Sequence, residues 1–165
     1  MILYIYKLNT LIDNKYWLKL MIMKGKNMKI SSIYDYNNEN GVTTYIHYHI
    51  VFCPRYKRRI FKIPGLEKRF KQLILQKSAE IHVIPTQIIC SENYVYMEVN
   101  VLNTTITPAA VVNSIKTATS RTLRNEFKEL SKMPNLWTRN YFLSTENKIN
   151  EKVVTQYVEI QKSRP

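Results

Sequence analysis

The stretch Thr43 to Phe52 (TTYIHYHIVF) is rich in β-branched and aromatic residues and decides how the rest of this 165-residue chain is interpreted. Such residues favour strands, and the alternation of their side chains predicts a strand with two different faces. Cys53-Pro54 ends this strand, because proline has no N–H to donate to a neighbouring strand. One face carries Ile46, Tyr48, Ile50 and Phe52, and the other carries Tyr45, His47, His49 and Val51.

The residues after this strand predict six further elements. Apolar residues at helical spacing indicate helices, and Thr107-Pro108 has the cap and first-turn residues that start one. The resulting order, βαββαβα, predicts an α+β fold, a ferredoxin-like βαββαβ domain with an additional C-terminal helix. The predicted elements are a helix over Leu66–His82, strands over Val83–Cys90 and Tyr94–Leu102, a helix from Thr107 towards Leu130, a strand over Trp137–Ser144, and a helix capped by Asn150 that runs through Gln161.

Residues 1–42 differ from this orderly pattern and are predicted to be an N-terminal extension, with the domain proper over residues 43–165. Lysines and an aspartate interrupt the apolar start, which is far shorter than the roughly 20 apolar residues of a membrane span. Three explanations stay open for the extension: a helix packed on the domain, a helix on a membrane surface, or translated upstream sequence. Ser31 to Gly41 (SSIYDYNNENG) is interpreted as a linker.

Charge indicates the class of partner. The chain has 25 Lys and Arg against 12 Asp and Glu, a net charge of +13. Such an excess favours a polyanion, because neutralising phosphates releases condensed counterions. Nucleic acid is the first candidate, and an anionic membrane surface is the second. Two cysteines are too few for a disulfide framework or a cysteine-built zinc site, so a reducing, cytoplasmic location is expected.

Four ordered motifs resemble the HUH-type single-tyrosine transposases, the insertion sequence 200-like family. The resemblance covers about Thr43 to Gln161. It rests on residues 48–59 (YHIVFCPRYKRR) as the first-strand signature, on Ile115-Lys116, Ser120-Arg121 and Leu123-Arg124 as the basic helix, on Leu136-Trp137 and Tyr141-Phe142 as the last strand, and on residues 156–161 (QYVEIQ) as the catalytic helix.

The resemblance implies a homodimer that binds hairpins at the ends of a mobile element and cuts single-stranded DNA. In the family, two histidines on a strand hold a divalent metal that polarises the scissile phosphate. A tyrosine on the last helix attacks that phosphate and becomes joined to the 5′ end. By motif position Tyr157 is the ancestral nucleophile, and Gln161 is the position that can help to hold the metal. A packing role for Tyr157 is the alternative.

Tyr94 and Tyr96 stand where the resemblance predicts the two metal-binding histidines. A phenol with a pKa of about 10 stays protonated near neutrality, whereas a neutral imidazole binds metal readily. No metal site and no cofactor are therefore expected, and Mg or Mn would be needed only if activity is retained. Glu98, on the same strand face, is the one carboxylate that could contribute. The segment 145–149 also lacks the glycines that a hinge before the last helix would use.

The two tyrosines have two possible roles that the sequence leaves open. They could stack unpaired bases, or they could fill the space of the missing imidazoles and metal. His47 and His49 have the spacing of metal ligands, but a structural or DNA-contact role is favoured for them. The basic residues predicted to contact nucleic acid are Arg55, Lys57, Arg58 and Arg59 after the first strand and Lys116, Arg121 and Arg124 on the second long helix.

These observations predict a transposase-like protein that binds hairpin or single-stranded DNA at mobile-element ends, with its cleavage and strand-transfer activity impaired. The alternative is a non-catalytic RNA- or DNA-binding regulator derived from a transposase. A third possibility is an enzyme that recruits metal through Glu98, Gln161 and other ligands.

Overall fold

The computed structural model describes residues 37–39 and 41–161. They divide into two units, of which the first ends at Tyr45 and the second begins at Ile46. In the first unit β1 (Asn37–Glu39) pairs antiparallel with β2 (Val42–Thr44), and Gly41 has a positive φ of 78° beside the turn. The linker interpretation is wrong for Asn37–Glu39, which form a strand. The rest of the predicted N-terminal extension, residues 1–36 and 40, lies outside the described residues.

The second unit has the predicted ferredoxin-like order, which confirms the fold class. Its four strands form one antiparallel sheet in the order β4-β5-β3-β6. Between residues 41 and 161 no helix is long and apolar enough to cross a membrane. The elements are β3 (His47–Phe52), α1 (Leu66–Glu80), β4 (Val83–Cys90), β5 (Val95–Val101), α2 (Pro108–Glu126), the short α3 (Lys128–Ser131), β6 (Phe142–Ser144) and α4 (Glu151–Glu159).

The two faces of β3 serve two separate apolar clusters. Ile50 and Phe52 are fully buried in the main core, together with residues of α1 and α2. Val51 and Cys53 face the other way and pack with Val154 and other residues of α4. The alternation in the sequence therefore produces a sheet that is covered on one face by two long helices and on the other by the C-terminal helix.

The last predicted strand is shorter than expected, because β6 covers only Phe142–Ser144. Trp137 makes an isolated bridge to Pro54 instead of joining the sheet. The carbonyl oxygens of Arg139 and Asn140 accept hydrogen bonds from the Lys116 ammonium. Because these carbonyls accept hydrogen bonds from a side chain, they do not pair with a neighbouring strand. Residues 139 and 140 are therefore held beside α2, and this segment is called the groove wall below.

The second long helix also ends earlier than predicted. α2 stops at Glu126, where Phe127 adopts an extended conformation with φ −113° and ψ 113°. The chain then turns into α3, which directs Leu130 into the core with 2% of its surface exposed. The chain therefore continues to bury apolar residues in the core after α2 has ended.

Candidate nucleic-acid interface

The sheet face under α4 carries a hydrogen-bonded network of three side chains. Tyr96 on β5 donates its hydroxyl hydrogen to the Glu98 carboxylate over 2.6 Å. The same hydroxyl lies 2.8 Å from Nδ1 of His49, which is on the neighbouring strand β3. His49 Nε2 donates to the carbonyl oxygen of Glu146 over 2.6 Å, since a carbonyl can only accept. The network therefore links two strands to the loop that precedes α4.

The network decides what His49 can do. Its side chain is buried, with 2% of the residue exposed, and both ring nitrogens are hydrogen-bonded. It therefore has neither the surface for a DNA contact nor a nitrogen left for a metal. Of the two roles favoured from the sequence, the structure supports the structural one. His47 makes a similar contact, with its Nδ1 2.7 Å from Oδ1 of Asn100.

The side chains at the positions where the family resemblance predicts a metal site do not fit Mg²⁺ or Mn²⁺. These ions prefer several carboxylate, carbonyl and water oxygens. Here Glu98 supplies one carboxylate, which is already the acceptor for Tyr96. Over residues 41–161, no three His, Cys, Asp or Glu side chains come together in a way that could hold a metal. Tyr94 and Tyr96 instead pack against the apolar cluster under α4.

Tyr157 lies on the buried side of α4. This helix begins at the Asn150 cap, whose side chain accepts from the Lys152 N–H. The Tyr157 ring packs against Phe142, with ring centres 5.9 Å apart. Its hydroxyl oxygen is buried, and no side chain meets it in full hydrogen-bond geometry among the described residues, although the Thr138 side chain lies close enough to oppose part of the pKa shift. Burial raises the pKa of Tyr157 well above its usual value, so the hydroxyl is a neutral, covered phenol.

Two predicted site residues bind the C-terminal end of α4. The side-chain amide of Gln161 donates to the Tyr157 carbonyl oxygen over 3.1 Å. The Lys57 ammonium donates to the Glu159 carbonyl oxygen over 2.7 Å. Carbonyls at a helix C-terminus lack partners within the helix, and a cation there interacts favourably with the helix dipole. Both side chains therefore stabilise the end of α4 in this structure.

A groove of about 1100 Å³ lies between α2, the segment 135–140 and the end of α4. Five of its lining residues are cationic, and none is Asp or Glu. Arg124 has a buried Nε with no hydrogen-bond partner among the described residues. An acid-free groove of this kind attracts an anion. The lining side chains that matter most are the cations Arg55, Lys116, Arg121, Arg124 and Arg139, and the polar residues Asn113, Thr117, Ser120, Asn125, Asn135 and Asn140.

The groove separates the seven predicted basic residues into two groups. Arg55, Lys116, Arg121 and Arg124 line it, whereas Lys57, Arg58 and Arg59 do not. Arg59 is paired with the Glu92 carboxylate at 3.1 Å, and the Arg58 guanidinium lies 5.7 Å from the Tyr56 ring centre. Arg139 also lines the groove, although it was not predicted from the sequence. Its positive charge directly after Trp137-Thr138 was the available signal. The residue was assigned to a predicted strand and was therefore not considered with the basic residues of the loop and helix.

Lys116 lines the groove but is buried, with 8% of the residue exposed. Its ammonium donates to the carbonyl oxygens of Arg139 and Asn140 over 3.1 and 3.2 Å. Burial lowers its pKa to about 8, an effect that the nearby Cys53 opposes. The structure therefore favours Lys116 as a residue that positions the groove wall, whereas Arg121 and Arg139 have exposed side chains that can reach a ligand.

Stability is expected to rise between about pH 8 and 9 and to fall above that range. Between about 8 and 10.5 the unfolded chain holds a proton on Lys116 that the folded chain has lost, so this residue makes stability increase with pH and contributes about 1 kcal/mol over the first unit, part of which the thiols of Cys53 and Cys90 offset. Burial raises the pKa of Cys53 to about 11 and that of Cys90 to about 12, from 9.0. Above pH 9 these two thiols lose their protons in the unfolded chain before they do so in the folded chain, so they lower the stability as the pH rises.

Urea unfolding of the wild type and of Lys116→Met across this pH range tests the expectation. The variant should lack the rise and keep the fall above pH 9. An equal rise in both proteins would show that another group causes it.

The comparisons with known proteins agree with this fold. A family model described as "Transposase IS200 like" matches residues 42–161. No curated protein matches the chain. A crystal structure from Deinococcus radiodurans R1, provisionally described as a transposase, has a TM-score of 0.71 and 17% identity over 78% of this chain and 99% of that chain. At that identity the likeness establishes the shared fold.

A second solved structure, a REP-associated tyrosine transposase bound to a REP hairpin, has a TM-score of 0.49 and 7% identity over 82% of this chain and 70% of that chain. This score is too low to establish a shared fold. The family match, in contrast, spans well over half of the chain and includes every element from β3 to α4. The chain belongs to the IS200-like transposase family.

Proposed function

We propose that this chain binds single-stranded or hairpin DNA at the ends of a mobile element and that its cleavage and strand-transfer chemistry is impaired. The observation that carries the proposal is the acid-free groove, in which the guanidinium groups of Arg121, Arg124 and Arg139 have no carboxylate partner among the described residues. Phosphate is the anion that nucleic acid presents in repeating form, and arginine binds it through paired N–H groups.

The size of the groove supports an unpaired strand as the ligand. Pockets for drug-sized ligands measure roughly 300–1,000 Å³. At about 1100 Å³ the groove can hold a short stretch of unpaired strand but no turn of a duplex. The stem of a hairpin would therefore lie outside the groove, against other basic surface. Arg58, which is half-exposed in the loop after β3, is available for that contact.

Two features support impaired cleavage. Tyr96 and His49 are engaged with each other and with Glu98 where the family places its metal, so the scissile phosphate would lack the usual Lewis acid. In addition, the Tyr157 hydroxyl is covered by the packing of α4, and attack on a phosphate would require α4 to move. The hydrogen bond from the Lys57 ammonium to the Glu159 carbonyl oxygen joins the end of α4 to the loop after β3 and opposes such a movement.

The structure favours the space-filling role for the two tyrosines. Both are half-buried and pack against the cluster that contains Val154 and Val158, and the Tyr96 hydroxyl is hydrogen-bonded. A base could stack on either ring only if α4 left the sheet. We therefore place the nucleic-acid contacts in the groove. The homodimer that the family resemblance implies is part of this proposal and can be checked by light scattering.

We expect the protein to bind labelled single strands from the ends of its element without forming a covalent adduct in Mg²⁺ or Mn²⁺. Binding is measured by fluorescence anisotropy over a range of salt concentrations, and the adduct by denaturing gel electrophoresis. The affinity should fall steeply with salt, with a log–log slope of about −0.7 for each phosphate contacted. Tyr157→Phe is the matched control, since it removes one hydroxyl and should bind DNA as the wild type does.

Two results would contradict the proposal. An adduct that forms in the wild type and disappears in Tyr157→Phe would show that cleavage is intact. A salt-independent affinity would argue against phosphate contacts. The second candidate function, a regulator that binds RNA or DNA, is favoured by the same covered Tyr157 hydroxyl. Tighter binding to an RNA strand than to DNA of the same sequence would support the regulator.

A further inference from the structure

The face of α2 that lines the groove has a regular composition. Asn113 and Asn125 lie near its two ends, and Thr117, Ser120 and the arginines lie between them. At a rise of about 1.5 Å per residue, the side chains from 113 to 125 cover roughly 18 Å along the helix. A stacked strand advances about 3.4 Å per nucleotide, so this face could lie along roughly five nucleotides.

The two asparagines are exposed, and neither side-chain amide has a hydrogen-bond partner among residues 41–161. Both amides are therefore available to a ligand in the groove. The cations of the groove suffice to attract phosphates, and neutral polar side chains can contact either phosphates or bases. A neutral amide instead offers one acceptor and two donors in a fixed arrangement, which suits the edge of a base.

We propose that Asn113 and Asn125 determine base specificity in the groove by hydrogen-bonding adenines of the bound unpaired strand, while Arg121 and Arg124 hold its phosphates. The inference rests on the proposed function, because it concerns the same groove. On the base edge that bears N7, the asparagine amide matches the N6 donor and N7 acceptor of adenine, whereas guanine offers two acceptors there. In an unpaired strand this edge and the Watson–Crick edge are both accessible.

The arrangement assigns separate tasks to neighbouring positions on one helix. Residues 121 and 125 are four apart and lie next to each other on one face, so a phosphate and its attached base can be contacted by adjacent side chains. Phosphate contacts position a strand without reading its sequence, whereas amide contacts to bases distinguish one sequence from another. The expected preference is for adenine at two positions separated by several nucleotides.

The test compares an adenine-containing single strand with the same strand carrying 7-deazaadenine, which lacks the N7 acceptor. The wild type should bind the unmodified strand at least about fivefold more tightly. Asn113→Ala with Asn125→Ala should bind both strands equally, with an affinity close to that of the wild type for the modified strand. Asn147→Ala, an exposed asparagine outside the groove, is the control and should keep the wild-type preference.

The outcomes separate the two proposals. Equal binding of both strands by the wild type would overturn the inference and leave the proposed function intact. Absence of binding to either strand would overturn the proposed function. A preference that survives in the double asparagine variant would also overturn the inference, because other residues would then read the base. Repeating the series with ribonucleotide strands identifies whether DNA or RNA is the preferred source of the adenines.

Discussion

Replacing Arg121 and Arg124 together by glutamate is expected to lower the affinity for single-stranded DNA by at least about 100-fold. A hydrogen bond to a charged group contributes about 1.5–3 kcal/mol, so the loss of two such contacts amounts to two or more powers of ten in Kd. Both side chains line the acid-free groove, and the glutamates would add repulsion to that loss. Fluorescence anisotropy at fixed ionic strength measures the change.

The matched control for this variant is Lys68→Glu with Lys132→Glu. It makes the same change in net charge at two exposed lysines that do not line the groove. We expect it to alter affinity only by the long-range effect of charge, which salt screens. The groove variant should also reduce the log–log salt slope by about 1.4, because two phosphate contacts are lost. An equal loss of affinity in both variants would mean that net charge, and not the groove, binds the strand.

Trp137→Ala is expected to destabilise the domain by about 3–5 kcal/mol. Trp137 is 6% exposed and contacts the rings of Phe52 and Phe70, with ring centres 5.0 and 5.3 Å away. Its indole N–H donates to the Thr119 hydroxyl over 3.0 Å. The substitution leaves a cavity between the sheet and the two long helices. Because domains are stable by only about 5–15 kcal/mol, the variant should lose a large part of the total.

Urea unfolding measures this loss, and Trp137→Phe provides the comparison. The phenylalanine keeps an aromatic ring in the cluster and removes the indole N–H, so a smaller cost of about 1 kcal/mol is expected. The Thr119 hydroxyl still donates to the Ile115 carbonyl in both variants. A cost below 1 kcal/mol for the alanine variant would contradict the central position of Trp137 in the core.

Local patterns predicted the secondary structure best where a strand is fully paired. Val83–Cys90 was predicted with the bounds that the structure has, because its β-rich composition and its register against β5 agree. The prediction failed between Trp137 and Tyr141, where the composition is also β-rich. There the Lys116 ammonium binds the carbonyls that a strand would need. A contact between residues so far apart along the chain leaves no local signal.

In the candidate site, too, local features were predicted from the sequence and long-range contacts were not. Tyr94, Tyr96 and Tyr157 were identified from motif positions, because their spacing within a strand and a helix is a local property. The charged residues could not be separated in this way. Arg59 and Arg121 look equivalent in the sequence, yet one is paired with Glu92 and the other lines a groove without acidic residues. Only the packing of distant elements determines which charges are already neutralised.

The sequence by itself determined the order of strands and helices, the strand alternation that separates the two faces of β3, the excess of positive charge and the two tyrosines at the positions where the family resemblance predicts histidines. These follow from residue type and spacing, which act over a few neighbouring positions. The tertiary structure decided that His49 is buried and hydrogen-bonded to Tyr96 and Glu146, that the Lys116 ammonium holds residues 139 and 140 beside α2, and that the Tyr157 hydroxyl is buried under α4. These features depend on burial and on hydrogen bonds between residues far apart in the chain. Such interactions form only when the strands and helices have packed together.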